Sequence, residues 1–258
     1  MLEHNVLYNG DCLEVMKEIE DKSISLILCD LPYGVTARNK WDTIIPFDKL
    51  WEQYERIIKD NGAIVLTSQQ PFTTSLIMSN PKLFRYTLVW HKTTPTGFLN
   101  ANKMPLRSHE DIVVFYKKLP TYNPQKTKGH KRKVSKAEHK TNSKMSTNYG
   151  EYEYTTYDST ERYPTSVLTF STDKQKSAIH PTQKPLGLWE WIISSYSNKN
   201  DLVLDNCSGS CTTAVACDNL ERRWICIEKE SNYCVAGKNR IDKNREDLNL
   251  PFVKIVKK

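Results

Sequence analysis

Three short apolar runs in this chain each stop on a carboxylate. Ser25 to Cys29 runs into Asp30, Asp201 to Leu204 into Asp205, and Arg223 to Ile227 into Glu228. Runs of this length without polar alternation are strands covered on both faces. Segments of helical periodicity lie between them: Leu13 to Ile19, Phe47 to Lys59 closed by Asn61-Gly62, Pro71 to Met78, Leu186 to Tyr196, Thr212 to Asn219 and Tyr233 to Arg245. Further strands are predicted at Asn5 to Tyr8, Ala63 to Thr67, Tyr86 to Trp90 and Asp111 to Tyr116, the last two separated by a polar loop with Asn100, Asn102 and Arg107. Strands alternating with helices require an α/β fold: a doubly wound, mostly parallel sheet with helices on both faces. Such sheets bind ligands beyond the carboxyl ends of their strands, where these three carboxylates lie.

The pattern fails between Lys117 and about Ser177, a stretch rich in Lys, Thr, Ser and Tyr. Residues 117 to 144 carry a net charge of +9, while the rest of the chain nets −2. The basic excess of the 258-residue chain therefore belongs to one insertion, which points to a local polyanion contact. The expected division is 1–116, an inserted region 117–177, and 178–258. The N-terminus lacks the basic patch and apolar run of a signal peptide, and no apolar stretch is long enough to span a bilayer. The seven cysteines are odd in number and lie largely in apolar runs, as reduced thiols of a cytoplasmic protein do. Cys207 and Cys211 lack a second ligand pair, so no metal site is expected.

Each of the three strand ends carries chemistry. Asp205 to Thr213 is a small-residue turn that opens a helix, suited to close backbone approach and to an anionic group at the helix start. It lacks the Gly-Lys-Ser/Thr of a phosphate loop, and an ordinary tight turn fits it equally. Glu228 ends the next strand, where an acid can accept hydrogen bonds from ribose hydroxyls; a solvated charge is the plain alternative. In Asp30-Leu31-Pro32-Tyr33 a carboxylate, a proline-fixed turn and an aromatic ring follow one buried strand. A ring beside a carboxylate can grip a planar group bearing an amino substituent, but a capped proline turn has the same residues.

Taken together and in this order, these turns resemble the amino-methyltransferases of DNA, a family of bacterial and phage enzymes. The family's Asp-Pro-Pro-Tyr motif is seen as Asp30 to Tyr33, and its Asp-Pro-Phe-x-Gly-Ser-Gly-Thr-Thr loop as Asp205 to Thr213. Its His-Pro-Thr-Gln-Lys-Pro motif is unaltered at His180 to Pro185. Gly10-Asp11 and Arg107 to Glu110 are similar to further family features. Catalytic motif first and cofactor loop last is the order of the circularly permuted group, with a target-recognition region between them.

The resemblance implies a Rossmann-like methyltransferase domain that uses S-adenosyl-L-methionine and acts on double-stranded DNA. It implies catalysis by Asp30, Leu31, Pro32 and Tyr33, with the base flipped out of the duplex. It implies cofactor binding by Asp11 at adenine, Glu228 at ribose, Asp205, Ser208, Gly209 and Ser210 at the methionine end, and Thr212 and Thr213 at the helix start. Thr182 and Lys184 are implied at the methionine carboxylate. Lys128, Lys131, Arg132, Lys133, Lys136 and Lys140 of the insertion are expected on DNA, mostly at phosphates. Asp30 at the first motif position leans to N6 of adenine. The alternatives are N4 of cytosine, methylation of RNA or of a protein glutamine amide, and a degenerate DNA-binding homologue without activity. The last is motivated by Leu31 and Cys211, which replace a proline and a glycine of the pattern. A homodimer is the candidate assembly, and a restriction system the expected setting.

Overall fold

The computed structural model describes residues 2–34, 42–135, 156–172 and 183–258. His180, Thr182, Lys136 and Lys140, all singled out above, lie outside the described residues. The chain forms two compact units, one of residues 1–123 with 166–258 and one of residues 124–165.

The first unit is built on a nine-stranded sheet. Its strands are β1 (Val6–Asn9), β2 (Ile24–Asp30), β3 (Ile58–Ser68), β4 (Phe84–Thr96), β5 (Arg107–Phe115), β8 (Val167–Phe170), β9 (Leu202–Asp205), β10 (Arg223–Glu228) and β11 (Ile255–Lys257). The helices are α1 (Cys12–Met16), α2 (Phe47–Ile57), α3 (Phe72–Ser79), α4 (Leu186–Tyr196), α5 (Thr212–Asn219) and α6 (Ser231–Asp247). Strand order is β11-β1-β10-β9-β2-β3-β5-β4-β8, parallel except that β5 runs against both β3 and β4.

The period-2 alternation divides each strand between two cores. Ile27 and Cys29 of β2, Ile64 and Leu66 of β3, and Ile225 and Ile227 of β10 pack with α1, α2 and α3. Leu26 and Leu28, Ala63 and Val65, and Trp224 and Cys226 face the other way, onto α4, α5 and α6. Burial on both faces is why these strands read as unbroken apolar runs. At the centre β2 lies beside β9. The chain leaves β2 through α2 toward β3 and leaves β9 through α5 toward β10, in opposite directions. That reversal opens the crevice in which doubly wound sheets hold ligands.

Several elements differ from their sequence expectation. Helix α2 stops at Ile57, because Ile58 turns extended and pairs with Ile24 of β2. Asn61-Gly62 therefore lies inside β3 and does not close a helix. Strand β5 begins at Arg107, where a loop was expected, since Arg107 pairs with Thr96 and His109 with His91 of β4, extending the hairpin. Val167–Phe170, placed in the insertion by its polar flanks, adds to the sheet edge beside β4. Its pairing partner is distant in sequence, so no local periodicity announces it.

The second unit contains β6 (Lys133–Ser135) and β7 (Tyr157–Ser159), paired antiparallel, with a bridge between Thr127 and Arg162. Weak order was expected for this stretch; its described residues hold a small ribbon fastened by the Arg162 guanidinium, which donates to the carbonyls of Lys131, Ser159 and Glu161.

Candidate active site

The carboxyl ends of β2, β3, β9 and β10 converge with the end of β4 and the start of β5 on one cavity of about 510 Å³ in the first unit. That size is usual for a small-molecule site. At one end lie Asp30, Leu31, Pro32 and Tyr33; at the other lie Asp11, Ser208, Gly209, Ser210, Thr212 and Glu228.

Asp30 is held from both sides. Its Oδ1 accepts the hydroxyls of Tyr33 and of Thr67, each at 2.5 Å. Its Oδ2 lies 2.6 Å from the Lys184 ammonium. Lys184 in turn lies 3.3 Å from Glu110 Oε2, and Lys92 lies 2.5 Å from Glu110 Oε1. Two acids and two ammonium groups thus form one balanced chain, Lys92-Glu110-Lys184-Asp30, with both lysines buried. Burial works against the charge of Glu110, yet Lys184 and Lys92 hold its carboxyl below the usual range. Burial likewise opposes the Lys184 charge, and Asp30 and Glu110 outweigh it and raise its pKa. The Tyr33 hydroxyl is pushed well above its usual pKa by burial and then by the charges of Asp30 and Glu110.

Resemblance put Lys184 at the cofactor carboxylate; the structure places its ammonium among Asp30, Glu110 and the Tyr33 ring, 5.7 Å from that ring's centroid. Tyr33 packs on Phe72, with ring centroids 5.1 Å apart. Leu31, the departure from proline, is buried in the core cluster that also holds the α1, α2 and α3 side chains, which gives an apolar residue a physical reason to stand there.

At the other end Glu228 takes one backbone N–H on each oxygen, from Gly209 and from Glu230, both at 2.8 Å. Burial raises its carboxyl above the ordinary value against those bonds. Asp11 caps α1 through the Leu13 N–H at 3.0 Å, and its Oδ2 meets Lys229 at 3.2 Å. Asp205 is buried, with Oδ2 accepting from Thr213 and Oδ1 from the Cys207 N–H. Burial lifts it to about 7. Thr213, expected to touch cofactor, is absent from the cavity lining; its hydroxyl accepts from Trp189 and braces Asp205. Thr212 and Ser210 are held by Arg240 of α6.

Cys211, the other departure, has φ 56° and ψ 36°, the left-handed region where the family pattern has glycine. Its buried side chain is accommodated because Gly237 of α6 stands opposite: a Cβ there would lie 2.4 Å from the Cys211 sulfur.

Lys92, Thr67, Trp90, Gln69, Tyr233 and Arg240 were not singled out from sequence. The strand alternation of Trp90 and Lys92 within β4 was the available signal for two of them; Arg240 belongs to a helix whose register onto the loop only packing sets. In the second unit, Arg132 is paired with Asp158 at 2.5 and 2.7 Å, and Lys128 lies 4.0 Å from Glu161. Lys131 and Lys133 form no ion pair with another described residue.

Among known proteins, the Type II methyltransferase M2.MboI of Moraxella bovis is 28% identical over 277 residues, covering 98% of this chain and 93% of that protein. The DNA adenine methyltransferase YhdJ of Escherichia coli (strain K12) is 26% identical over 254 residues, covering 93% and 83%. The crystal structure of an M1.HpyAVI-SAM complex shares the fold, with a TM-score of 0.64 at 24% identity over 92% of this chain and 98% of that one. The N6_N4_Mtase family model, described as DNA methylase, matches residues 24–239, a span running from β2 through the cavity-lining loops into α6, and the chain belongs to that family of DNA methyltransferases.

Proposed function

We propose that this chain transfers a methyl group from S-adenosyl-L-methionine to the N6 amino group of adenine in double-stranded DNA, within a Type II modification setting like that of its relatives. The observation that carries the reading is Asp30 with Tyr33 beside it, opening into the cavity that Glu228 and the Ser208–Ser210 turn also line. The residues at the far end fit the cofactor. Glu228 is buried, and after two backbone bonds its carboxylate keeps lone pairs for a ribose diol. Asp11 stands by for an adenine amino group; Ser208, Gly209 and Ser210 offer polar, small-residue walls to the methionine end. When bound, the cofactor supplies an electrophilic methyl on a sulfonium.

The chain's own groups do the rest. An exocyclic amino nitrogen is a poor nucleophile while its lone pair is delocalised into the ring. Extruding the base costs a few kcal/mol of stacking and pairing. Tyr33 then stacks on the base, and the amino group replaces the Tyr33 hydroxyl on Asp30 Oδ1. Asp30 and the Leu31 carbonyl accept its two N–H bonds and favour a tetrahedral nitrogen. Positive charge grows on that nitrogen as its bond to the methyl forms and the methyl's bond to sulfur breaks; the carboxylate facing it stabilises the transition state, and the surplus amino proton leaves through Asp30 to solvent. Glu110 shares the Lys184 ammonium, so that the ammonium orients Asp30 without wholly cancelling its charge. No covalent enzyme intermediate is needed; positioning and electrostatics supply the rate. The basic second unit holds phosphates through Lys128, Lys131, Arg132 and Lys133.

The test is incubation with labelled S-adenosylmethionine and mixed-sequence duplex DNA, followed by digestion to nucleosides and mapping of the modified positions. N6-methyladenine is expected. N4-methylcytosine overturns the choice of base, and no DNA methylation together with no cofactor binding in calorimetry overturns the enzyme reading. Asp30→Ala should abolish transfer while leaving cofactor affinity within a few-fold; full activity in that variant would remove Asp30 from the mechanism.

A further inference from the structure

The hairpin of β4 and β5 carries the least covered apolar side chains near the cavity. Phe98 is 76% exposed, Leu99 83%, Met104 57% and Leu106 43%. They sit on the loop joining Thr96 to Arg107, and both of those residues line the cavity. Exposure of this kind at a cavity mouth marks a surface that another molecule covers.

The loop is built, not slack. Gly97 enters the left-handed region at φ 91°, and Phe98–Asn100 forms one 3-10 turn. The amides of Asn100, Ala101, Lys103 and Met104 bond to carbonyls of Gly97, Phe98 and Asn100 at 2.8–3.0 Å. The turn thus presents Phe98 and Leu99 outward on a backbone that satisfies itself. Its charge names the occupant. Residues 93–107 hold Lys103 and Arg107 and no acid. Lys103 and Arg107, which follow the apolar tip on the same loop, are both exposed. An exposed apolar tip on a loop that also carries exposed cations suits a duplex: cations meet phosphates, and apolar side chains enter between base steps.

We propose that the Phe98-Leu99 tip is a wedge that enters the DNA duplex beside the target and fills the stack that the extruded base vacates. This rests on the DNA-methylating reading above and deepens it. The wedge offsets the stacking lost on extrusion, so its effect is largest where the base must be pulled from a complete pair. Both side chains are exposed, so replacing them leaves the core untouched.

The experiment compares the parent chain with Phe98→Ser/Leu99→Ser on two oligonucleotide duplexes carrying a mapped methylation position. One has the target paired; the other has an abasic site opposite it, which lowers the extrusion cost. The variant is expected to lose at least tenfold in kcat/KM on the paired duplex. On the abasic duplex it is expected within about threefold of the parent, with unchanged cofactor affinity. Equal loss on both duplexes, or no loss on the paired one, overturns the wedge. So does loss in the variant of a self-association that sedimentation shows for the parent, since the patch then belongs to a second copy. A parent chain that methylates neither duplex overturns the function itself, and that result precedes any variant.

Discussion

Lys184 stands between two carboxylates, 2.6 Å from Asp30 and 3.3 Å from Glu110. If Glu110 shares the ammonium as proposed, its removal leaves Lys184 wholly on Asp30. Glu110→Gln is therefore expected to lower kcat by roughly 10- to 100-fold, the scale of a small misplacement at a reacting centre. Cofactor affinity should hold, and Glu110→Asp should recover part of the loss; an unchanged kcat excludes the role. Cys211 and Gly237 make a second residue-scale case. Gly237→Ala puts a Cβ into the Cys211 sulfur and should destabilise by about 1–3 kcal/mol. With Cys211→Gly the obstruction is gone and the left-handed backbone is relaxed, so the same alanine should cost at least about 1 kcal/mol less. Denaturant midpoints of the four proteins measure this coupling, and additivity would refute the contact.

Among the elements, the β9–α5 turn hangs on Asp205. Both its oxygens are occupied, by Thr213 and by the Cys207 N–H, and burial lifts its carboxyl from 3.8 to about 7. The native state therefore binds the Asp205 proton more tightly than the unfolded chain between about pH 4 and 7. In that window the contribution of this group to stability falls as pH rises, by roughly 1 kcal/mol per unit, and is flat outside it. Asp205→Asn should remove that slope from the difference between parent and variant melting curves; an unchanged slope would refute the shift. The hairpin of β4 and β5 shows where element boundaries escaped periodicity. Exposed Phe98 and Leu99 break the polar pattern of a loop, while Arg107 to His109 look polar yet form strand through pairing with β4. The acid-ended strands β2, β9 and β10 were legible because burial on both faces leaves a continuous apolar run.

Taken whole, the molecule concentrates its positive charge in residues 117–144, which net +9 against −2 for the rest of the chain. Lys131 and Lys133 make no ion pair with another described residue, whereas Arg132 must leave Asp158 to reach a phosphate. Lys131→Gln/Lys133→Gln should therefore weaken DNA binding across sequences and reduce the slope of log K against log salt by about 1.8, near 0.9 per phosphate contact. A slope equal to the parent's would free these lysines of that role. No helix among the described residues is long and apolar enough to cross a membrane.

The sequence by itself determined that the fold is doubly wound α/β, that Asp30, Asp205 and Glu228 each end a buried strand, and that the positive charge is concentrated in one insertion. Those properties are local: period, length and composition of single runs carry them. Tertiary structure alone decided that Lys184 meets Asp30 and Glu110, that Thr213 braces Asp205 from behind the cavity, and that Cys211 is tolerated against Gly237. It also decided that Val167–Phe170 is sheet and that Phe98 and Leu99 stand bare at the cavity mouth. Each of these depends on a partner dozens of residues away, or on which way a side chain points once the strands are in register. Such pairings arise only when the sheet closes its order and the helices settle on it.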